Sequence, residues 1–215
     1  MKVVQINGFL GSGKTTLLIE LAKLLVGRGK KVSIIVNDVG EVKIDLAIIE
    51  AYGLKVKELP GGCICCDFAG NFADALSIIH HEFKPDIVLV EPSGVAIPWR
   101  LKRAAQSAKD ESAIAIEHAP VITLMDATCV DTLMGTIRRL IISQVREADV
   151  CLINKIDAAD DARIARTEEF VSSVNPRCEI MRISVHRNQG IMEVADIIVG
   201  RTSSRYDETM GGAMR

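Results

Sequence analysis

The sequence lacks both the charge excess and the long apolar runs that would assign the protein to nucleic acid or to a membrane. Its 215 residues carry 26 basic and 28 acidic side chains, a formal net charge of −2, so no basic face is expected. The most apolar region, SAIAIEHAPVITLMDA, is interrupted by Glu117 and His118 and is too short for a transmembrane helix. The apolar run in the amino-terminal MKVVQING is too short for a signal peptide. We therefore expect a cytoplasmic protein that has neither nucleic acid nor a membrane as its partner.

Internal repeats and long linkers are also absent, and the chain instead alternates regularly between two kinds of segment. Short runs rich in Val, Ile and Leu alternate with longer segments of helical period. Most runs are apolar on both faces, as strands buried between two helix layers are. The pattern predicts an α/β fold of three layers, with a mostly parallel central sheet and helices on both faces. The predicted strands are 2–7, 31–37, 55–59, 86–91, 120–126, 149–154 and 178–184, and the predicted helices are 14–28, 68–82, 99–109, 128–145, 160–173 and 190–199.

The segment GFLGSGKT, residues 8–15, follows the first predicted strand and opens the first predicted helix. It fits the phosphate-loop pattern G-x-x-x-x-G-K-[ST]. Glycines let bare backbone N–H groups approach phosphate, and the helix directs the positive end of its dipole at the anion. Lys14 would reach the outer phosphates and the Thr15 hydroxyl would ligate Mg²⁺, although a glycine-rich turn without a ligand is the alternative. The residues predicted to bind nucleotide in this P-loop fold are Gly8, Gly11, Ser12, Gly13, Lys14 and Thr15.

Polar residues end several other predicted strands, at the edge of a parallel sheet where ligands bind. We therefore expect four further loops to converge on the phosphate loop. In one of them, Glu91 would hold Mg²⁺ through its water shell, and the Gly94 N–H would bond a γ-phosphate; a helix-capping turn is the alternative. The four loops begin at Asn37-Asp38, Glu91, Asn154 and Ser184.

The motif NKID, residues 154–157, indicates a preference for guanine. Guanine offers two adjacent donors that one carboxylate, Asp157, can accept, whereas adenine would leave that carboxylate unpaired. Asn154 would brace the loop, and the stem of Lys155 would cover the face of the base. Ser184-Val185 is a candidate supporting loop. The alternatives are a helix cap at Asp157 and a simple turn at Ser184.

The stretch GGCICC places three thiols, Cys63, Cys65 and Cys66, within four positions. Thiols stay reduced in the cytoplasm, so the cluster favours metal or redox chemistry over a structural disulfide. In an extended segment Cys63 and Cys65 point to one side, which suits Zn²⁺, Ni²⁺, Co²⁺ or Cu⁺. Small packing residues, or a vicinal disulfide between Cys65 and Cys66, are the alternatives.

In this order and spacing, GFLGSGKTT, NDVGEVKID, GGCICC, EPSG and NKID resemble the CobW-like GTPases, relatives of the urease and hydrogenase nickel-insertion GTPases. The resemblance covers residues 2–200 and implies GTP binding and hydrolysis that gate delivery of a metal or a corrinoid to a client metalloprotein, often through a nucleotide-dependent homodimer. It also implies a single GTPase domain over 1–200, and we expect a flexible tail over 201–215, with neither the second domain of longer members nor a histidine-rich tail.

The resemblance assigns further roles to individual residues. It implies that Thr16 joins the phosphate loop and that Glu41 and Cys65 bind the transition metal, with Cys63 and Cys66 alongside. Val36 and Asp38 depart from the family pattern of acids, which places an auxiliary metal site in doubt.

Combining these patterns, we expect GTP and Mg²⁺ to order residues 37–45 and 91–98 and so to reposition the thiols. Lys14 and Glu91 would serve catalysis, and Asp38 or Glu41 would orient the attacking water. The pattern offers no arginine finger, so we expect slow turnover without a partner. Two other functions stay open: a nucleotide-gated interaction module without its own metal site, and a P-loop small-molecule kinase.

Overall fold

Seven parallel strands build the central sheet of the computed structural model, which describes residues 1–36, 52–58, 67–112, 114–129, 135 and 137–200. The strands are β1 (Lys2–Gly8), β2 (Val32–Val36), β3 (Lys55–Glu58), β4 (Ile87–Glu91), β5 (Glu117–Asp126), β6 (Val150–Asn154) and β7 (Glu179–Arg182). They lie in the order β3-β2-β4-β1-β5-β6-β7, and every neighbouring pair is parallel. The prediction of a parallel α/β sheet is confirmed.

Helices cover both faces of this sheet, as the alternating pattern predicts. The helix α1 follows β1, and its buried leucines pack on one face of the sheet together with α6. The helices α2 and α3 pack on the opposite face, and α4 and α5 lie on that same face beside β5 and β6. The bounds are α1 (Lys14–Gly27), α2 (Asp67–Phe83), α3 (Pro98–Ser112), α4 (Arg138–Arg146), α5 (Asp161–Val174) and α6 (Ile191–Gly200).

The strand β1 is buried on both faces, and this burial fixes the frame of the site. Val4 and Ile6 contact the core under α1, whereas Val3 belongs to the core under α2 and α3. Leu21 and Leu25 of α1 are fully buried, and each such side chain contributes about 2 kcal/mol to folding. The end of β1 and the start of α1 are therefore held firmly on either side of the loop that joins them.

Several predicted site residues lie outside the described residues, in the segments that follow β2 and β3. The predicted tail at 201–215 lies outside them as well. The site residues concerned are Asn37, Asp38, Glu41, Cys63, Cys65 and Cys66.

Two predicted boundaries near β5 were wrong. The strand begins at Glu117 rather than at 120, and its register with β1 shifts opposite Pro120, between Val3 and Gln5. Such an irregularity accommodates a residue that has no N–H to donate. Pro120 therefore lies within the strand instead of starting it.

Of the helix predicted over 128–145, Thr128 and Cys129 instead lie in a turn, residues 138–146 form α4 (Arg138–Arg146), and residues 130–134 and 136 lie outside the described residues. The reason lies at Thr128, whose backbone N–H and hydroxyl both donate to Asp126 Oδ1, at 2.9 and 2.6 Å. A side-chain bond of this kind competes with helix formation. The strand predicted over 178–184 is also shorter than expected: β7 spans Glu179–Arg182, and Ser184 lies in a turn that is bridged to Gln189.

Candidate functional site

The loop between β1 and α1 has the backbone geometry that a phosphate loop requires. The angle φ is 140° at Gly8, 76° at Gly11 and 100° at Gly13, values that other residues adopt only with strain. Gly13 caps α1, and its carbonyl accepts the N–H of Leu17 at 2.9 Å. The first turn of a helix leaves N–H groups without partners inside the helix, and an anion accepts their hydrogen bonds.

Gly11 and Gly13 face very different surroundings. A Cβ atom at Gly13 would lie 2.5 Å from Nδ2 of Asn154, whereas a Cβ at Gly11 would meet nothing within 4 Å. The loop is thus packed against the end of β6 at Gly13 and open at Gly11. Ser12, between them, is buried, and its hydroxyl oxygen has no hydrogen-bond partner among the described residues, so it is available to a ligand.

Lys14, Thr15 and Glu91 form the polar centre of the site. Lys14 is 6 % exposed; its Nζ donates to the Phe9 carbonyl at 3.2 Å and lies 4.0 Å from Glu91 Oε1. The Thr15 hydroxyl donates to Glu91 Oε1 at 2.9 Å. Hydroxyl and carboxylate oxygens are the ligands that Mg²⁺ prefers, so these residues fit that ion. Thr16, the next residue, is exposed.

The loop after β4 lies directly against the phosphate loop. A Cβ at Gly94 would approach the Leu10 backbone nitrogen to 3.1 Å and the Phe9 carbonyl carbon to 3.5 Å. Only a residue without a side chain fits this approach without displacing the backbone. The placement leaves Gly94 beside residues 8–15, and its contact with a γ-phosphate stays a prediction.

Asn154, at the end of β6, joins the phosphate loop to the last loop of the sheet edge. Its Nδ2 donates to the Ser12 carbonyl at 2.8 Å, and its Oδ1 accepts the N–H of Val185 at 3.1 Å. Asn154 is 2 % exposed. One buried amide therefore fixes the distance between the phosphate loop, the NKID segment and the loop at Ser184.

Asp157 is held by the loop that the sequence proposed as its support. The Ser184 hydroxyl donates to Asp157 Oδ1 at 2.6 Å, and Arg187 Nε lies 3.9 Å from Oδ2. The hydrogen bond from Ser184 lowers the pKa of Asp157, and the positive charge of Arg187 adds to this effect. The carboxylate is thus charged and oriented, the state that accepting two donors from guanine requires.

Lys155 adopts a left-handed conformation, with φ at 63°, and its Nζ forms an ion pair with Asp126 Oδ2 at 2.6 Å. The strand register explains the contact, because β5 and β6 pair Asp126 with Asn154. Burial opposes ionisation of Asp126, but hydrogen bonds from Lys155 and Thr128 lower its pKa below the ordinary value.

A sequence model of the CobW/HypB/UreG nucleotide-binding domain matches residues 2–182. The chain belongs to the CobW/HypB/UreG family. The resemblance found in the motifs is confirmed.

Individual relatives agree with this assignment. The chain is 28% identical over 200 residues to the zinc chaperone CobW of Sinorhizobium sp, covering 80% of this chain and 55% of that protein. Its fold matches the hydrogenase maturation factor HypB of Archaeoglobus fulgidus with a TM-score of 0.67 at 23% identity, covering 93% of this chain and 89% of HypB. It also matches the Zn(II)-bound YjiA GTPase of E. coli with a TM-score of 0.65 at 25% identity, covering 84% of this chain and 57% of YjiA. The chain spans about half the length of the curated relatives.

For simplicity, residues 8–16 with Glu91 are called the phosphate corner of this CobW/HypB/UreG domain. The base corner comprises Asp126, residues 154–157, Ser184 and Val185. A hydrogen bond from Asn154 to Ser12 joins the two corners, and Gly94 lies beside the phosphate corner.

Two buried residues of the site went unrecognised in the sequence. Asp126 ends a predicted strand, and that position was the signal that could have found it. Gln144 lies on α4 and is 2 % exposed; its Nε2 donates to the carbonyls of Gly94 and Ala96. No local pattern marks Gln144, because its partners lie about 50 residues earlier in the chain.

The cysteine cluster of the CobW-like pattern lies outside the described residues. Within the part of the chain that the structure describes, no group of three His, Cys, Asp or Glu side chains could hold a metal ion. Among those same residues, none of the helices is long and apolar enough to cross a bilayer.

Proposed function

We propose that this protein binds GTP with Mg²⁺, hydrolyses it slowly, and uses the nucleotide state to control binding or delivery of a transition metal. The partner would be a client metalloprotein or an enzyme that carries a metal cofactor, reached through a nucleotide-dependent homodimer. Such a protein would work in the cytoplasm, where thiols stay reduced.

The observation that carries the proposal is the double hydrogen bond of Asn154. These bonds support the proposal because they tie the loop at Ser12 to the loop at Val185: Nδ2 donates to the Ser12 carbonyl at 2.8 Å, and Oδ1 accepts the Val185 N–H at 3.1 Å. Asp157 is oriented from that same last loop, by Ser184. A guanine nucleotide, with its base and phosphates at opposite ends, matches this pair of corners.

Each corner then has a defined task. In the phosphate corner Lys14 would neutralise the outer phosphates, while Thr15 and Glu91 would hold Mg²⁺, which supplies charge stabilisation for phosphoryl transfer when bound. Gly94 would contact the γ-phosphate. Catalysis also needs a group that orients water, and Asp38 or Glu41 is proposed for that step.

The metal-binding part of the proposal concerns Zn²⁺, Ni²⁺ or Co²⁺ as the cargo of Cys63, Cys65 and Cys66, with Glu41 as a further proposed ligand. The spacing of the thiols supports it, as does membership of a family whose relatives are named as zinc chaperones. Thiolate ligands must lose their protons to bind, so metal affinity should rise with pH.

Exchange of Asp157 for asparagine tests the nucleotide assignment. Xanthine has a carbonyl where guanine has its exocyclic amino group, so an amide donor at Asp157 suits xanthine. We expect D157N to lose at least about 100-fold in GTP affinity and to gain affinity for xanthosine triphosphate. The control is D160N, because Asp160 is an exposed carboxylate that caps α5 three residues later. Tighter binding of ATP than GTP by the wild type would instead support a small-molecule kinase.

Zinc titration in the GTP-analogue and GDP states tests the coupling. We expect different zinc affinities in the two states and loss of about one site in C65S. Equal affinities would refute gating, and an unchanged zinc stoichiometry in C65S would favour an interaction module in which the thiols only pack.

A further inference from the structure

We propose that Gln144 is a positioning residue that holds Gly94 against the phosphate loop and so favours binding of GTP over GDP. The inference rests on the proposed function, in which Gly94 contacts the γ-phosphate. In this proposal α4 contributes to discrimination between GTP and GDP, although it lies outside both corners.

The bonding of Gln144 is specific to the loop after β4. Its Nε2 carries two hydrogens, and these are donated to the Gly94 carbonyl at 3.1 Å and to the Ala96 carbonyl at 3.0 Å. Burial leaves the side chain 2 % exposed, so water cannot readily replace either bond. A single amide thus binds two carbonyls of a loop that also folds on itself through the Ala96 N–H and the Ser93 carbonyl at 2.9 Å.

Gln144 is itself anchored to the sheet. On the inner face of α4 it lies next to two apolar residues, Ile141 and Val145, that are buried in the core. Its backbone carbonyl accepts the hydroxyl of Thr123, in the middle of β5, at 3.3 Å. Thr123 in turn pairs with Asn7, the residue before the phosphate loop begins. The donor to Gly94 therefore moves with the same rigid sheet that carries the phosphate loop.

The consequence for binding follows from ordering entropy. Fixing a flexible backbone costs free energy. Because the bonds from Gln144 form during folding, the loop at Gly94 is already ordered before nucleotide binds. GDP has no γ-phosphate and does not need Gly94 in place, whereas GTP does. Removing the two bonds would therefore transfer the ordering cost to GTP binding alone, and GDP binding would keep its affinity.

The test compares binding of GDP and of a non-hydrolysable β,γ-imido analogue of GTP, each with Mg²⁺, by calorimetry. The variant Gln144→Met keeps length and helix propensity but removes both donors. We expect the analogue to bind about 5- to 10-fold more weakly and GDP to stay within about 2-fold, the loss corresponding to one or two net hydrogen bonds. Gln144→Leu, which also lacks the donors and carries no charge, repeats the test if the methionine variant does not fold.

A matched control destabilises the same helix without touching the loop. Asn175 donates from Nδ2 to the carbonyls of Val145, Arg146 and Ala148 at the end of α4. Asn175→Ala should lower the unfolding temperature and leave the ratio of the two nucleotide affinities unchanged. A merely structural role of Gln144 would make the two variants behave alike.

Trp99 provides a second readout, since it is the only tryptophan and follows Gly94 by five residues at the start of α3. It is 40 % exposed, with the guanidinium groups of Arg100 and Arg103 at 5.8 and 5.7 Å from its ring centre. In wild type we expect the analogue and GDP to give different Trp99 emission, and in Gln144→Met a smaller difference. An unchanged affinity ratio, or tighter binding of the analogue in the variant, overturns the role of Gln144. Failure of wild type to bind guanine nucleotides would overturn the proposed function instead.

Discussion

The phosphate corner and the base corner would recognise the two ends of one nucleotide with different chemical groups. The phosphate corner relies on backbone, with three glycines at positive φ and a helix that begins at Lys14. The base corner relies on side chains tied to one another, as in the bonds of Ser184 to Asp157 and of Lys155 to Asp126, both 2.6 Å. Phosphate carries diffuse charge that many N–H groups can share, whereas choosing between purines needs one carboxylate aimed correctly. Substitutions in the phosphate corner should therefore act mainly through backbone strain, and those in the base corner through the orientation of Asp157.

The largest effect is expected from Gly13→Ala, because Gly13 of the phosphate corner packs against Asn154 of the base corner. The new Cβ would lie 2.5 Å from Asn154 Nδ2 at a residue whose φ is 100°. We expect the free energy of unfolding to fall by about 4 kcal/mol and nucleotide binding to be lost. Gly11→Ala is the control, since its Cβ meets nothing and the strain alone costs about 1 kcal/mol. Equal losses in urea unfolding of the two variants would contradict the packing argument.

Asn154→Ala separates the corners without adding strain. It leaves the Ser12 carbonyl and the Val185 N–H without their partner, and the cost should be about 3 kcal/mol of unfolding free energy. Affinity for GTP and GDP should fall together, by about 100-fold, because both ligands span the two corners. Calorimetric titration checks this, and a loss confined to GTP would show that Asn154 serves only the phosphate side.

Asp126→Asn tests orientation inside the base corner and carries a pH signature. The folded-state pKa of Asp126 lies below its ordinary value of 3.8, so the carboxylate stabilises the fold above that pH, and the contribution disappears as pH falls through the folded-state pKa. We expect D126N to unfold about 2 kcal/mol more easily at neutral pH and to approach wild type below about pH 4. Thermal unfolding across this range measures it; a constant difference at all pH values would argue against the ion pair with Lys155.

Ser184→Ala should have the smallest effect, because it loosens Asp157 without removing it. We expect GTP affinity to fall about 3-fold at neutral pH, from the loss of one hydrogen bond. The pKa of Asp157 should rise without this donor, so acid loss of affinity should begin at a higher pH than in wild type. Measuring GTP affinity as a function of pH tests this. If affinity is lost at the same acidic pH in both proteins, Ser184 does not set the pKa of Asp157.

Much of the fold could be predicted, and candidate site residues could be proposed, because the motifs are local. The run of apolar strands fixed the parallel sheet, and the glycine spacing from Gly8 to Gly13 reflects backbone angles that other residues reject. The predicted strand start at Pro120 and the predicted helix start at Thr128 were wrong, because local motifs do not determine them. A register shift and a side-chain bond to Asp126 decided them, and both depend on neighbours in space.

The sequence by itself determined the chemistry of each loop: which backbone can approach phosphate, which carboxylate can accept two donors, and which strand each loop follows. Only the tertiary structure decided which side chains of those loops contact one another. Asn154 reaches Ser12 across 142 residues, Asp126 lies beside Lys155 through the register of β5 and β6, and Gln144 reaches Gly94 from another helix. The physical reason is that dihedral preferences act within a few residues, whereas the position of a buried hydrogen-bond donor is fixed by how whole strands and helices pack.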